Sequence, residues 1–420
     1  MIAQTATKIR VQMEHFSGNL SKGLCKTARR FVAEAIYGIQ ARQSVHLTEI
    51  SRSLEESIPL IKTENRLSRN LAKPQIRPVL QSALLREGSR RIGRDTLLIL
   101  DLSDVVKPYA EKMQFLARVR DGSTGELANG YWLCQVIGVE CEGNEIVPLY
   151  GQLYSQRATD FVSENEEILT AFRLVSKAAK KRGVWVLDRG GDRRDLYKEL
   201  VPKSKGLRFL IRQKGDRHLL CGRRKMPTEE MARFCPLPYQ DTMVHEEKGQ
   251  ERVRHLMYGF QAVRLPEHPE VPLWLVVVRG LGKKPLMLLT NVPMRKNRKV
   301  LWWAVSSYLT RWRAEETIRF GKQSYQIEDV RVMSYERLRN MFCLVMAAMF
   351  FTSVVLGTKM KLSILVSHVF KAAKRLFGIP DFRYYALSDG LKAVLTRFPR
   401  RSPPPGTGKS HPDQFLLFGT

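Results

Sequence analysis

Thr96–Asp101 reads TLLILD, a short apolar run closed by a carboxylate. Its length suits a buried strand rather than a helix. The same shape recurs at Val184–Asp188, VWVLD. Between them, YWLCQVIGVE (131–140) and EIVPLYGQLY (145–154) flank a Gly143-Asn144 turn signal and read as a hairpin. FVSENEEILTAFRLVSKAAKKRG (161–183) has helical period, a Ser163/Glu166 capping box and a basic end followed by Gly183. DRRDLYKEL (192–200) reads as a short helix and LRFLIRQ (207–213) as a further strand. The order β, β, β, α, β, α, β predicts an α/β core around a mixed sheet.

Working outward, residues 1–94 read as helical and basic, with 17 Lys/Arg against 7 Asp/Glu. Lys22, Lys26, Arg29 and Arg30 share one helix face. Pro74 and Pro78 mark a connection. Residues 214–290 hold seven prolines and strand-like pieces at LWLVVVRG (273–280) and LMLLT (286–290), and read as a β-rich insertion. Residues 291–357 return to helix, and 358–420 form a basic C-terminal region with a Pro-rich tail. PGTGKS in that tail lacks the Gly, the strand and the helix of a phosphate-binding loop, so no nucleotide site is expected there.

The 420 residues carry 70 Lys+Arg against 41 Asp+Glu, a net charge of +29, with 44% hydrophobic content. That is globular composition, not a disordered basic tail. A surplus of this size on a folded chain points to a polyanionic partner, nucleic acid before membrane. The uncharged run Met341–Gly357 is at the short limit for a span and reads as a helix buried in the core. Six cysteines without a CxxC, behind an N-terminus with no apolar signal segment, fit a reducing cytoplasmic compartment. Cys221, Cys235, His245 and His255 match no usual zinc spacing.

Three acidic positions carry the chemistry. Asp101 and Asp188 each end an apolar strand, where a carboxylate needs a partner. Side by side they would repel, and a divalent cation with oxygen ligands removes the repulsion. Alone, either one reads first as the cap of a turn or of the following helix. The third lies in YLTRWRAEETIRFGK (308–322). At about 100° per residue, Tyr308, Arg311, Glu315 and Lys322 project from one face within an arc of about 60°. Such a stripe cannot face a core. It forms either a surface ion-pair ladder or a site holding metal through Glu315 and phosphates through its cations.

The spacing of Tyr308, Arg311, Glu315 and Lys322 resembles the Tyr-Arg-Glu-Lys signature of bacterial insertion-sequence transposases of family four. Asp188, Arg189, Gly191 and Asp192 (DRGGD) resemble that family's second acidic box, with Gly190 where Glu is usual. The resemblance covers roughly residues 95–350. It implies a ribonuclease H-like mixed-sheet core over 95–213 and 291–357, with the β-rich insertion at 214–290 and a helical DNA-binding domain at 1–94. It implies Asp101, Asp188 and Glu315 as the catalytic and metal-binding triad for two Mg²⁺ ions, with Mn²⁺ as substitute. Tyr308, Arg311 and Lys322 would grip DNA phosphates, with Arg212 in the same role. The implied reaction is cleavage at the ends of an insertion sequence and joining to target DNA. The implied partners are double-stranded DNA and a second copy of the chain in a synaptic complex, at the bacterial nucleoid. The alternatives are a silent transposase-derived DNA-binding protein, or a ribonuclease H-like nuclease that cuts without joining. Some members pass through a DNA hairpin with a base flipped onto a Trp of the insertion. LMLLTNVP puts Leu286 at that place, so no flipping residue is expected.

Overall fold

The computed structural model describes residues 2–202, 206–247, 250–372 and 382–398. Its frame is one sheet of 12 strands. In chain order these are β1 (Leu97–Val106), β2 (Ala117–Arg120), β3 (Leu127–Val139), β4 (Ile146–Tyr154), β5 (Val184–Leu187) and β6 (Arg208–Arg212). Then come β7 (His218–Cys221), β8 (Arg224–Pro227), β9 (Tyr239–Glu247), β10 (Gln250–Leu265), β11 (His268–Arg279) and β12 (Leu286–Thr290). They run β2-β3-β1-β5-β6-β12-β11-β10-β7-β8, with β4 on β3 and β9 on β10. β1–β5 and β5–β6 are parallel; the other pairings are antiparallel.

The helices are α1 (Ile2–Leu20), α2 (Lys26–Arg42), α3 (Leu47–Leu54), α4 (Leu60–Leu71), α5 (Ile76–Ser89), α6 (Glu164–Ala178), α7 (Arg194–Leu200) and α8 (Thr228–Phe234). Toward the C-terminus lie α9 (Arg298–Leu309), α10 (Trp312–Tyr325), α11 (Tyr335–Phe350), α12 (Thr358–Ala372) and α13 (Tyr384–Arg397). The expected hairpin is β3–β4. The expected cap is present as well: Ser163 accepts the Glu166 N–H at 3.1 Å and starts α6.

Strand alternation divides the core in two. Leu97 and Ile99 of β1, with Val184 and Val186 of β5, join the cluster that includes α1, α2, α10, α11 and α13. Leu98, Leu100, Trp185 and Leu187 point the other way, onto α6 and α7.

Three expectations change. β1 does not end at Asp101; it continues paired with β3 to Val106↔Gly130, so Asp101 lies within a strand. The stretch 214–290 is not a separate β unit, because β12 pairs with β6 and extends the core sheet through β11 and β10. Residue 94 is not a boundary between cores. Phe16 of α1 lies 5.9 Å from the Phe350 ring and 5.7 Å from that of Phe351, and Gln40 of α2 donates to the Ala348 carbonyl at 2.7 Å. The charge surplus of 1–94 conceals an apolar face that packs on α11, whose residues from Met341 onward carry no charge. Every residue from Met341 to Phe350 is buried inside the protein. The tail expected after residue 398 lies outside the described residues.

Candidate active site: three carboxylates at a helix junction

Strand register sets the floor of the site. β1 and β5 run parallel with Leu97↔Val184 and Ile99↔Val186. Continuing by two residues brings Asp101 level with Asp188. β5 and β6 run parallel with Val184↔Arg208 and Leu187↔Ile211, and one residue further puts Asp188 level with Arg212. Alternation puts all three on the face that carries Leu97, Ile99 and Val186. Asp101, Asp188 and Arg212 thus form one row across three adjacent strands, near the carboxyl ends of β5 and β6, where open α/β sheets place ligands.

Asp188 also does the local work expected of a strand-end aspartate. It accepts the Gly190 N–H at 2.7 Å and caps the 3₁₀ turn Arg189–Gly191. A Cβ at Gly190 would stand 2.9 Å from Asp188 Oδ1, so the usual Glu could not be placed here without a shift. Asp192 is 4% exposed and turned away, accepting the Lys214 N–H at 2.9 Å and pairing with Arg217.

The roof is the junction of α9 and α10. Residues 308–322 do not form the single continuous helix expected from their spacing. α9 ends at Leu309 and α10 starts at Trp312. Across the junction the Arg311 and Arg313 N–H groups bond three residues back, to Tyr308 and Thr310. The Thr310 hydroxyl donates to Ser306 and accepts the Glu142 N–H, which anchors the turn. Tyr308 thus closes α9 while Arg311 caps α10. Tyr308 accepts from Arg212 Nη1 at 3.4 Å, and the Arg311 guanidinium lies 5.8 Å from the Tyr308 ring centroid.

Arg311 bridges two of the carboxylates. Its Nη1 is 3.6 Å from Asp101 Oδ1 and its Nη2 pairs with Glu315 Oε1. The Asp101 and Arg311 side chains are 15% and 17% exposed, whereas Glu315 is 50% exposed. Burial pushes the Asp101 carboxyl up to about 7; Arg311 pulls it down, while Asp188 and Glu315 push it up further. Those last two influences place all three acids in one electrostatic neighbourhood.

Lys322 stands apart from this group. It donates to Asp104 Oδ2 at 2.8 Å and lies 3.1 Å from Glu328 Oε1. Burial opposes its charge, yet Asp104 and Glu328 hold its pKa above the ordinary value. Asp104, Glu328 and Lys107 escaped the sequence reading; Lys107 donates to the carbonyls of Glu328 and Val330. The usable signal was the apolar-polar texture of LSDVV after Asp101, which extends β1 toward them.

Asp101, Asp188, Arg311, Glu315 and Lys322 line one open cleft of about 1460 Å³. Arg120, Arg319 and Arg331 add cations to its walls. The carboxylate oxygens of Asp101, Asp188 and Glu315 are the donor chemistry of a hard divalent cation. Among the described residues, no three His, Cys, Asp or Glu side chains stand close enough to hold an ion as they lie. Arg311 fills that place between Asp101 and Glu315. Leu286, where no flipping residue is expected, is 5% exposed at the start of β12. Trp302 donates to Glu142 at 3.1 Å.

No protein-family model matches the chain, and no curated protein matches it. Among solved structures it is similar to a piggyBac transposase synaptic complex with hairpin DNA, with a TM-score of 0.45 and 12% sequence identity. That likeness covers 94% of this chain and 80% of the other.

Proposed function

We propose that this protein is a DDE-type DNA transposase, with Asp101, Asp188 and Glu315 as its catalytic acids. The observation that carries the reading is the parallel register that sets Asp101 beside Asp188, beneath a helix junction presenting Glu315 and Arg311. The spatial order β4-β3-β1-β5-β6, with β3 antiparallel, supports a ribonuclease H-like core. The spacing of Tyr308, Arg311, Glu315 and Lys322 supports membership in the insertion-sequence group.

Asp101, Asp188 and Glu315 would hold two Mg²⁺ ions, or Mn²⁺, whose chemistry is to activate a water or 3′-hydroxyl and to stabilise the leaving oxygen at phosphorus. The chain's own groups do the rest. Arg212 and Tyr308 offer adjacent donors at one end of the row, where a DNA phosphate can be seated and oriented. Arg311 supplies a planar fork for a second phosphate oxygen. Lys322 acts through Asp104, fixing the wall of the cleft. The net charge of +29 draws the duplex in. Two protomers synapse two element ends, in the bacterial cytoplasm at the nucleoid.

One observation favours a silent DNA-binding protein instead: the acids are not assembled into a cage as they lie. A single assay separates the readings. Purified protein is incubated with Mg²⁺, DNA carrying the repeats that border its gene, and a target plasmid. Strand-transfer products that vanish in Asp188→Ala, with end binding retained, are expected. Cleavage without joining identifies a nuclease, and binding without cleavage identifies the silent protein.

A further inference from the structure

Arg311 sits where a cation between Asp101 and Glu315 would sit. Its guanidinium competes for the same lone pairs that a divalent ion needs. Its hold is incomplete. Nη1 lies 3.6 Å from Asp101, and Nε is buried without a hydrogen-bond partner. Its backbone lies in the junction between α9 and α10, where the bonding steps back to i→i+3. Arg311 itself lines the open cleft, and beside it Arg212 donates to the Tyr308 hydroxyl at 3.4 Å. A phosphate entering there gives a planar guanidinium a fork-matched anion in place of one distant carboxylate and one half-exposed one.

We propose that Arg311 is an internal counter-cation that holds the acidic site closed to metal until DNA arrives. DNA draws the guanidinium onto phosphate, which frees Asp101 and Glu315 for the ion. Metal and DNA binding are then positively coupled through one side chain. By reciprocity, metal tightens DNA binding by the same factor. The inference rests on the proposed transposase reading and adds a binding order to it.

The test is Mn²⁺ binding to the full chain, read from the free-ion electron paramagnetic resonance signal. It is run with and without precleaved end duplex, with DNA-only blanks subtracted. For the unaltered protein, DNA should tighten Mn²⁺ binding by about 5- to 150-fold, the usual range for coupled sites. Arg311→Gln should bind Mn²⁺ at least about fivefold more tightly without DNA, and lose most of the DNA effect. Arg311→Lys, a cation without the fork, should fall between and guards against a folding defect in the Gln variant. The proposal is overturned if DNA leaves the Mn²⁺ affinity of the unaltered protein unchanged. It is equally overturned if the coupling survives undiminished in Arg311→Gln. Asp188→Asn separates the two layers. If it binds Mn²⁺ like the unaltered protein, the acids are not metal ligands and the transposase reading falls too; if it loses Mn²⁺ while coupling is absent, only the latch falls.

Discussion

Asn340 gives the sharpest test of how the chain is held together. It is fully buried on α11, far in sequence from the groups it serves. Its Oδ1 accepts the Arg77 N–H at 3.1 Å, and its Nδ2 donates to the carbonyls of Leu71 at 2.8 Å and Lys73 at 3.0 Å. Arg77 lies in the first turn of α5, whose own N-cap residue Gln75 makes no side-chain cap. Asn340 therefore caps α5 from another helix and closes the end of α4 as well. In Asn340→Leu the Arg77 N–H and the Leu71 carbonyl lose this partner; the Lys73 carbonyl keeps the Ile76 N–H at 3.2 Å. Each orphaned group costs about 1–3 kcal/mol, and the added apolar burial offsets about 1 kcal/mol, so the net loss is about 1–5 kcal/mol. That is a large share of a typical folding free energy of about 5–15 kcal/mol. Urea unfolding followed by circular dichroism and by Trp fluorescence measures it. Because helices α1–α5 share one core with α11, both probes should shift together in one transition. A loss under about 1 kcal/mol, or an early transition seen only by circular dichroism, would refute the shared-core reasoning.

Three other perturbations probe different links. Lys107 is 4% exposed, and burial lowers its ammonium to about 8 against the pull of Glu328 and Asp329. The folded state then binds fewer protons than the unfolded state between about 8 and 10.5, so stability from this group rises with pH across that window. The unaltered protein should gain up to about 3 kcal/mol over Lys107→Met between those limits, and a gain in the opposite direction sinks the argument. Gly38→Ala would bring a Cβ to 2.6 Å from Ile50 Cγ2, forcing α2 from α3. It should cost about 1–3 kcal/mol by thermal unfolding, and a neutral result would mean that the pair can slide apart freely. Lys22, Lys26 and Arg29 are exposed, whereas Arg30 is tied to Glu34 and Glu56. Neutralising the first three should flatten the salt dependence of duplex binding by about 0.9 for each phosphate they had neutralised, while an unchanged slope places DNA elsewhere.

Local signals were legible and long-range ones were not. TLLILD, VWVLD and the Ser163 cap are written within a few residues of one another, and the structure holds each of them; the hairpin turn falls at Glu140–Gly143, just ahead of the Gly143-Asn144 signal. The neighbouring placement of Asp101 and Asp188 depends on the β1–β5 register, a pairing across 87 residues that no window of sequence contains. Nothing in YLTRW announces the junction at Thr310–Arg311, because both residues keep helical dihedral angles and the step arises from the Thr310 anchor to the Glu142 backbone. Lys322 reads as one more cation on the stripe until Asp104, which lies 218 residues away, claims it. The break in texture at Asp95 was real in composition and misleading as a boundary. Charge on the outside of α2 says nothing about which helix covers its inside.

The shared core has a consequence for how the chain is made. Helices α1 to α5 leave the ribosome first, yet the surfaces that cover them, α11 and α13, are synthesised some 300 residues later. At about 5–20 residues per second, the nascent N-terminal helices wait on the order of tens of seconds with Phe16, Phe31 and Ile36 uncovered. During that interval, holding chaperones and spacing between ribosomes govern the yield of native protein, and a message truncated before residue 335 delivers chains with no way to close.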